Sequence, residues 1–182
     1  MRFAGLLKQS LTDYPGKIAA VLFSRGCNLR CPFCHNAHLL VKPGRTVIAG
    51  EIETSELIPF LEERQGFLDA VVFSGGEPTI NPELPQVIRQ VKEIGYLVKL
   101  DTNGSNPIML DQLLQQELLN YVAMDIKAPL EYEKYLQASG RLTFEDFFNI
   151  RSSINLLKTV TITVEFRDRK STRLNSSHIT IS

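Results

Sequence analysis

Along this chain, short runs of apolar and largely β-branched residues alternate with longer stretches in which apolar residues recur every three or four positions. The first pattern suits strands buried on both faces and the second amphipathic helices, so their alternation predicts a parallel sheet connected by helices. Strands are expected at Ile18–Ser24, Ala70–Ser74, Tyr96–Thr102, Tyr121–Asp125 and Thr159–Phe166. Between them, Ser55 precedes a helical segment that ends at Gly66. Asn81 and Pro82 open Glu83–Ile94, where Leu84, Val87, Ile88, Val91 and Ile94 share a face and Gly95 is the stop. Asn106 and Pro107 start a helix carrying Leu110, Leu113, Leu114 and Leu118, and Thr143 with Asp146 makes a variant capping box before Phe147–Leu157. Tyr132 and Tyr135, three apart, read as helix packing.

A chain of 182 residues with 43% apolar content suits one domain with a sizeable core. Twenty lysines and arginines balance 20 aspartates and glutamates, which gives no long-range field to draw nucleic acid or an acidic membrane. No apolar run approaches the roughly 20 residues of a membrane span. The start, MRFAGLLKQSLTDYPGK, lacks the features of a signal peptide, so a cytoplasmic protein is expected. The segment 168–182, DRKSTRLNSSHITIS, is rich in serine and threonine and has little periodicity. It reads as a foreign polar tail after a domain that ends at Arg167.

All three cysteines lie in GCNLRCPFCHN, Gly26–Asn36, directly after the first predicted strand. That is the strand end where barrel enzymes place their chemistry. An odd number of thiols in one polar, turn-rich loop is a better ligand set than a disulfide framework. Zinc would want a fourth ligand, with His35 or His38 at hand, and an iron-sulfur cubane would have three thiolates and one open iron. Spacing alone leaves these two alternatives open.

The C-x3-C-x2-C spacing of Cys27, Cys31 and Cys34, with Phe33 in an aromatic place before the last, resembles the signature of radical S-adenosylmethionine enzymes. The resemblance implies an α/β fold, a partial parallel (β/α)6-type barrel. It also implies a [4Fe-4S] cluster on Cys27, Cys31 and Cys34, with S-adenosylmethionine chelating the open iron beside Phe33, Cys34 and His35. FSGGEP, Phe73–Pro78, resembles the family's GGE motif, which brings Gly75, Gly76 and Glu77 to the cofactor's amino group. KLDTNGS and AMDIKAP are similar to stretches of glycyl-radical-enzyme activases. By that resemblance Asp125, Ile126 and Lys127 meet the cofactor, Asp125 and Lys127 count as catalytic, and Asp101, Thr102 and Asp125 form a monovalent-cation site.

TDYPGK near the start and VEFR near the end make the chain most similar to activating proteins of anaerobic ribonucleoside-triphosphate reductase. Arg167 becomes a further cofactor contact, and since the family continues beyond the matching EFR, the barrel is expected to lack its last part. The implied activity is reductive cleavage of S-adenosylmethionine to a 5'-deoxyadenosyl radical that removes a hydrogen from a glycine of a glycyl radical enzyme, with a flavodoxin or ferredoxin as reductant. Alternatives are another radical enzyme of this kind, a formate-lyase-type activase or a deazapurine synthase, and, from a different class, a zinc-binding interaction module.

Overall fold

A computed structural model describes residues 1–37 and 51–168 and, for the backbone, 179–181. His38 and the stretch 169–178 of the predicted tail lie outside the described residues. The elements are β1 (Arg2–Ser10), β2 (Ala19–Ser24), β3 (Ile52–Glu53), α1 (Thr54–Glu62), β4 (Ala70–Gly75), α2 (Leu84–Ile94), β5 (Leu97–Thr102), α3 (Pro107–Gln115), β6 (Tyr121–Ile126), α4 (Tyr132–Ser139), α5 (Phe144–Leu157), β7 (Thr163–Asp168) and β8 (Ile179–Ile181).

Five strands, β2, β4, β5, β6 and β7, pair in parallel in that order. They are the five strands that the apolar runs predict, and they make the expected partial barrel of α/β type. Antiparallel strands flank this core: β1 pairs with β2 and β3 with β1 at one edge, and β8 pairs with β7 at the other. Neither the first strand nor the short last one follows from the sequence pattern. In β1 the pairing shifts between Phe3 and Gly5 and again between Leu7 and Ser10, so burial does not alternate and the period of two is broken.

Alternation in the parallel strands creates two different faces. Ala20, Leu22, Val71, Phe73, Val98, Leu100, Val122, Met124 and Val164 face the helices and pack on Leu57, Leu61, Ile88, Leu110 and Ile150. The other face is built from smaller residues, Ala19, Val21, Ala70, Val72 and Ala123, closed by Tyr14 against Tyr121. Toward the carboxyl ends of the strands this second face turns polar.

Helix boundaries follow the capping chemistry. Asn106 accepts from the Met109 amide at 3.1 Å ahead of Pro107, and Gly95 ends α2 at φ +109°. Thr143 and Asp146 do form a capping box, with α5 starting at Phe144, three residues earlier than the pattern suggests. Strand β7 begins at Thr163 rather than Thr159, because the Thr159 amide and hydroxyl both donate to the Leu156 carbonyl and close the end of α5. Tyr135, on α4, is fully buried as a packing residue. No described helix is long and apolar enough to cross a membrane.

Candidate active site

The cysteine loop leaves β2 at Ser24 and is held by backbone from two sides. On one side is the turn after β4. The Gly76 amide donates to Ser24 O at 3.0 Å and the Glu77 amide to Gly26 O at 2.8 Å. Gly75 has φ +104°, and a Cβ there would stand 2.5 Å from the Ser24 nitrogen; one on Gly76 would stand 1.8 Å from Gly26 O. The paired glycines therefore serve first to let two strand ends touch. On the other side, the Arg30 amide donates to Ser139 O at 2.9 Å at the end of α4, where Gly140 turns at φ +67°.

Side chains complete the grip. Asn28 Nδ2 donates to Ser105 Oγ at 2.8 Å and to Asp146 Oδ1 at 3.1 Å, and Asn28 Oδ1 accepts from Asn103 Nδ2 at 3.0 Å. Asn36 donates to Gly75 O at 3.2 Å. Cys27, Cys31 and Cys34 are partly buried thiols that form no disulfide and line one cavity of about 410 Å³ with His35, Gly75, Gly76, Glu77, Asp101, Asp125, Lys127 and Arg167. Cys27 Sγ lies 3.4 Å from the Leu29 amide and 3.8 Å from Asn103 Nδ2. Burial, and then the negative charge of Glu77, push the Cys27 thiol up to about 11. Among the described residues, no three His, Cys, Asp or Glu side chains are gathered around one point as a single metal ion would require.

Glu77 is 1% exposed. Its Oε1 accepts from Thr79 Oγ1 at 2.6 Å, Thr102 Oγ1 at 2.8 Å and the Thr79 amide at 3.1 Å, and its Oε2 from the Asn103 amide at 2.6 Å. Burial raises its pKa and the four donors oppose that shift. Glu77 thus ties the turn after β4 to the loop after β5, which in turn holds Asn28.

Opposite the cysteines, charges of alternating sign line the inner face. Lys99 Nζ is 3.2 Å from Asp101 Oδ1. Arg167 reaches Asp101 Oδ1 at 3.4 Å and Asp125 Oδ1 at 2.8 Å, and Lys127 Nζ is 2.6 Å from Asp125 Oδ2. Asp101 Oδ2 accepts from Ser74 Oγ at 2.8 Å. Asp101 Oδ1 is buried and accepts no aligned hydrogen bond; it is held by charge at ion-pair range, which leaves a lone pair for a ligand donor. Burial works against the charge on Arg167, but Asp101, Asp125 and Glu165 outweigh it and raise its pKa.

Of the residues expected at the site, the cavity gathers the three cysteines, His35, Gly75, Gly76, Glu77, Asp101, Thr102, Asp125, Lys127 and Arg167. Phe33 is 79% exposed and Ile126 packs into the helix-side core, so neither lines it. Thr102 reaches it from the opposite face of β5 to Asp101, with its hydroxyl on Glu77. Asp13, Asn103 and Ser74 line the cavity without having been singled out. Asp13 lies in TDYPGK and Asn103 in the Asn-Gly step, both visible as motifs but not as partners of a distant loop.

Comparison with known proteins finds a family, related sequences and similar folds. The sequence model of the radical SAM superfamily matches residues 21–164. A Methanocaldococcus jannaschii protein named as a glycyl-radical enzyme activating enzyme is 38% identical over 167 residues, covering 90% of this chain and 66% of its own length. The pyruvate formate-lyase-activating enzyme of Clostridium pasteurianum is 30% identical over 160 residues, covering 85% of this chain and 65% of its own. The chain thus spans just under two thirds of these curated relatives. Among solved structures, QueE from Escherichia coli is similar in fold, with a TM-score of 0.54 at 16% identity over 94% of this chain and 86% of that one.

Proposed function

This chain belongs to the radical SAM superfamily, and from that premise we propose that it activates a glycyl radical enzyme, with an anaerobic ribonucleotide reductase as the partner. The observation that carries the reading is the meeting, in one cavity, of three thiols from a single loop with the Gly-Gly turn, Asp125, Lys127 and Arg167. Members of the superfamily use a [4Fe-4S] cluster and S-adenosylmethionine. The residues present suit both groups. A cubane takes each thiolate at a different iron, so three cysteines spread around a cavity wall supply three of four positions and leave the fourth to the cofactor.

Bound together, the cluster and S-adenosylmethionine supply one-electron cleavage of a carbon-sulfur bond and, from it, a 5'-deoxyadenosyl radical able to take hydrogen from a glycine. The chain's own part is to hold, orient and enclose. Cys27, Cys31 and Cys34 hold the cluster on a loop fixed by Asn28, Asn36 and Arg30. Lys127, Asp125 and Arg167 offer alternating charges to a ligand that carries a carboxylate, an ammonium and a sulfonium. Gly75, Gly76 and Glu77 form the wall on which the amino group is placed. A flavodoxin or ferredoxin is the proposed reductant.

TDYPGK and VEFR favour the ribonucleotide reductase partner, while the formate-lyase activase among the relatives keeps a second partner class in view. Anaerobic incubation with S-adenosylmethionine, a reductant and each candidate partner in turn decides between them. A glycyl radical doublet on the ribonucleotide reductase alone supports the proposal. A doublet on a formate lyase alone reassigns the partner, and formation of 5'-deoxyadenosine without a radical on either overturns both assignments.

A further inference from the structure

Asp101 and Asp125 stand on adjacent strands; Asp101 is in register with Ala123, one inward position before Asp125. Two carboxylates facing one low-dielectric cavity repel each other and require a positive charge between them. The similarity to activases implies a monovalent cation in that seat, with Thr102 as a third ligand. The Thr102 side chain does not fit that arrangement. Thr102 lies on the other face of β5, donates to Glu77 at 2.8 Å and accepts from the Gly104 amide at 3.0 Å. The seat itself is spanned by Arg167, whose Cα is in register with Asp125, whose Nε is 2.8 Å from Asp125 Oδ1 and whose Nη2 is 3.4 Å from Asp101 Oδ1. Lys127 and Lys99 stand at 2.6 and 3.2 Å, one on each carboxylate, and Glu165 is the third negative charge acting on Arg167. A guanidinium is charged at every working pH and its planar fork can meet two carboxylates at once.

We propose that the Arg167 guanidinium occupies the seat of a monovalent cation between Asp101 and Asp125, so that this cavity keeps its shape and takes up its sulfonium ligand without sodium or potassium. Arg167 is then a positioning residue. The part of the proposal that concerns the ligand rests on the function proposed above; the part that concerns the cation does not.

The test exchanges potassium, sodium and tetramethylammonium chloride at one ionic strength. It follows thermal unfolding of the protein as purified and calorimetric binding of S-adenosylmethionine after anaerobic reconstitution with iron and sulfide. The wild-type midpoint should be the same in all three salts, and its affinity should agree within about twofold. In tetramethylammonium, Arg167→Met should lower the midpoint by about 5 °C or more and the affinity by about tenfold or more, because it leaves the partly buried carboxylates of Asp101, Asp125 and Glu165 with only Lys99 and Lys127 to balance them. Sodium or potassium should restore part of both losses. Arg167→Lys, which keeps the charge, should stay indifferent to the salt. A wild-type protein whose midpoint or affinity depends on sodium or potassium overturns the proposal, whether or not Arg167→Met folds. If no ligand binds in any salt while the wild-type midpoint stays constant, the proposed function fails and the assignment of the seat to Arg167 stands.

Discussion

A Cβ placed on Gly76 would lie 1.8 Å from the carbonyl oxygen of Gly26, so the turn after β4 and the cysteine loop meet backbone to backbone. That oxygen also accepts the Glu77 amide at 2.8 Å, which leaves little freedom to withdraw it. Gly76→Ala should therefore cost about 1–3 kcal/mol through a forced backbone shift. The denaturant midpoint should fall with an unchanged slope, and iron bound after reconstitution should fall with it. An alanine variant with wild-type stability and iron content would show that the loops are not in contact.

The carboxylate of Glu77 receives four donors and has no donor of its own to offer. Glu77→Gln turns an NH2 group toward a hydroxyl or an amide N–H and leaves a buried donor without an acceptor. The expected loss is about 1–3 kcal/mol of stability. Hydrogen exchange should localise the loosening to the loop after β5, where Thr102 and Asn103 lose their acceptor.

Cys27 should be slow to alkylate in the apo protein at pH 8, since its thiol is pushed up to about 11. Below that value the thiolate fraction, and with it the rate, rises about tenfold for each pH unit. Trypsin cuts after Arg25 and Arg30, so Cys27 is read on its own peptide, Gly26–Arg30, by mass spectrometry. A rate that levels off near pH 9 would contradict the burial found here.

Gly140 lies far from the thiols in sequence, yet a Cβ on it would stand 2.1 Å from Arg30 O, and its φ of +67° already disfavours other residues. Gly140→Ala should destabilise the fold by about 1–3 kcal/mol. It should also impair cluster assembly, because α4 ends against the cysteine loop. Titration of iron incorporation against denaturant midpoint separates the two effects.

Much of this site is legible in the chain. Cysteine spacing, the Gly-Gly turn and the D-x-K step are local patterns, and the structure brings them to one cavity. The helices announce themselves through Asn106 with Pro107, Thr143 with Asp146, and Gly95. Strand β1 does not, because two register shifts erase its alternation. The partners of Asn28 are equally hidden, since Ser105 and Asp146 are 77 and 118 residues away and only the folded sheet brings them together. Thr102 is a different case: alternation alone puts its side chain on the opposite face from Asp101, where its hydroxyl meets Glu77.

The central claim is that Cys27, Cys31 and Cys34 hold a cluster with one iron open to S-adenosylmethionine. It is tested most directly by low-temperature electron paramagnetic resonance on anaerobically reconstituted and reduced protein, with and without S-adenosylmethionine. A reduced cubane signal that changes on adding S-adenosylmethionine, and is lost in Cys31→Ala, is the predicted result. A colourless protein with stoichiometric zinc and no such signal would contradict it.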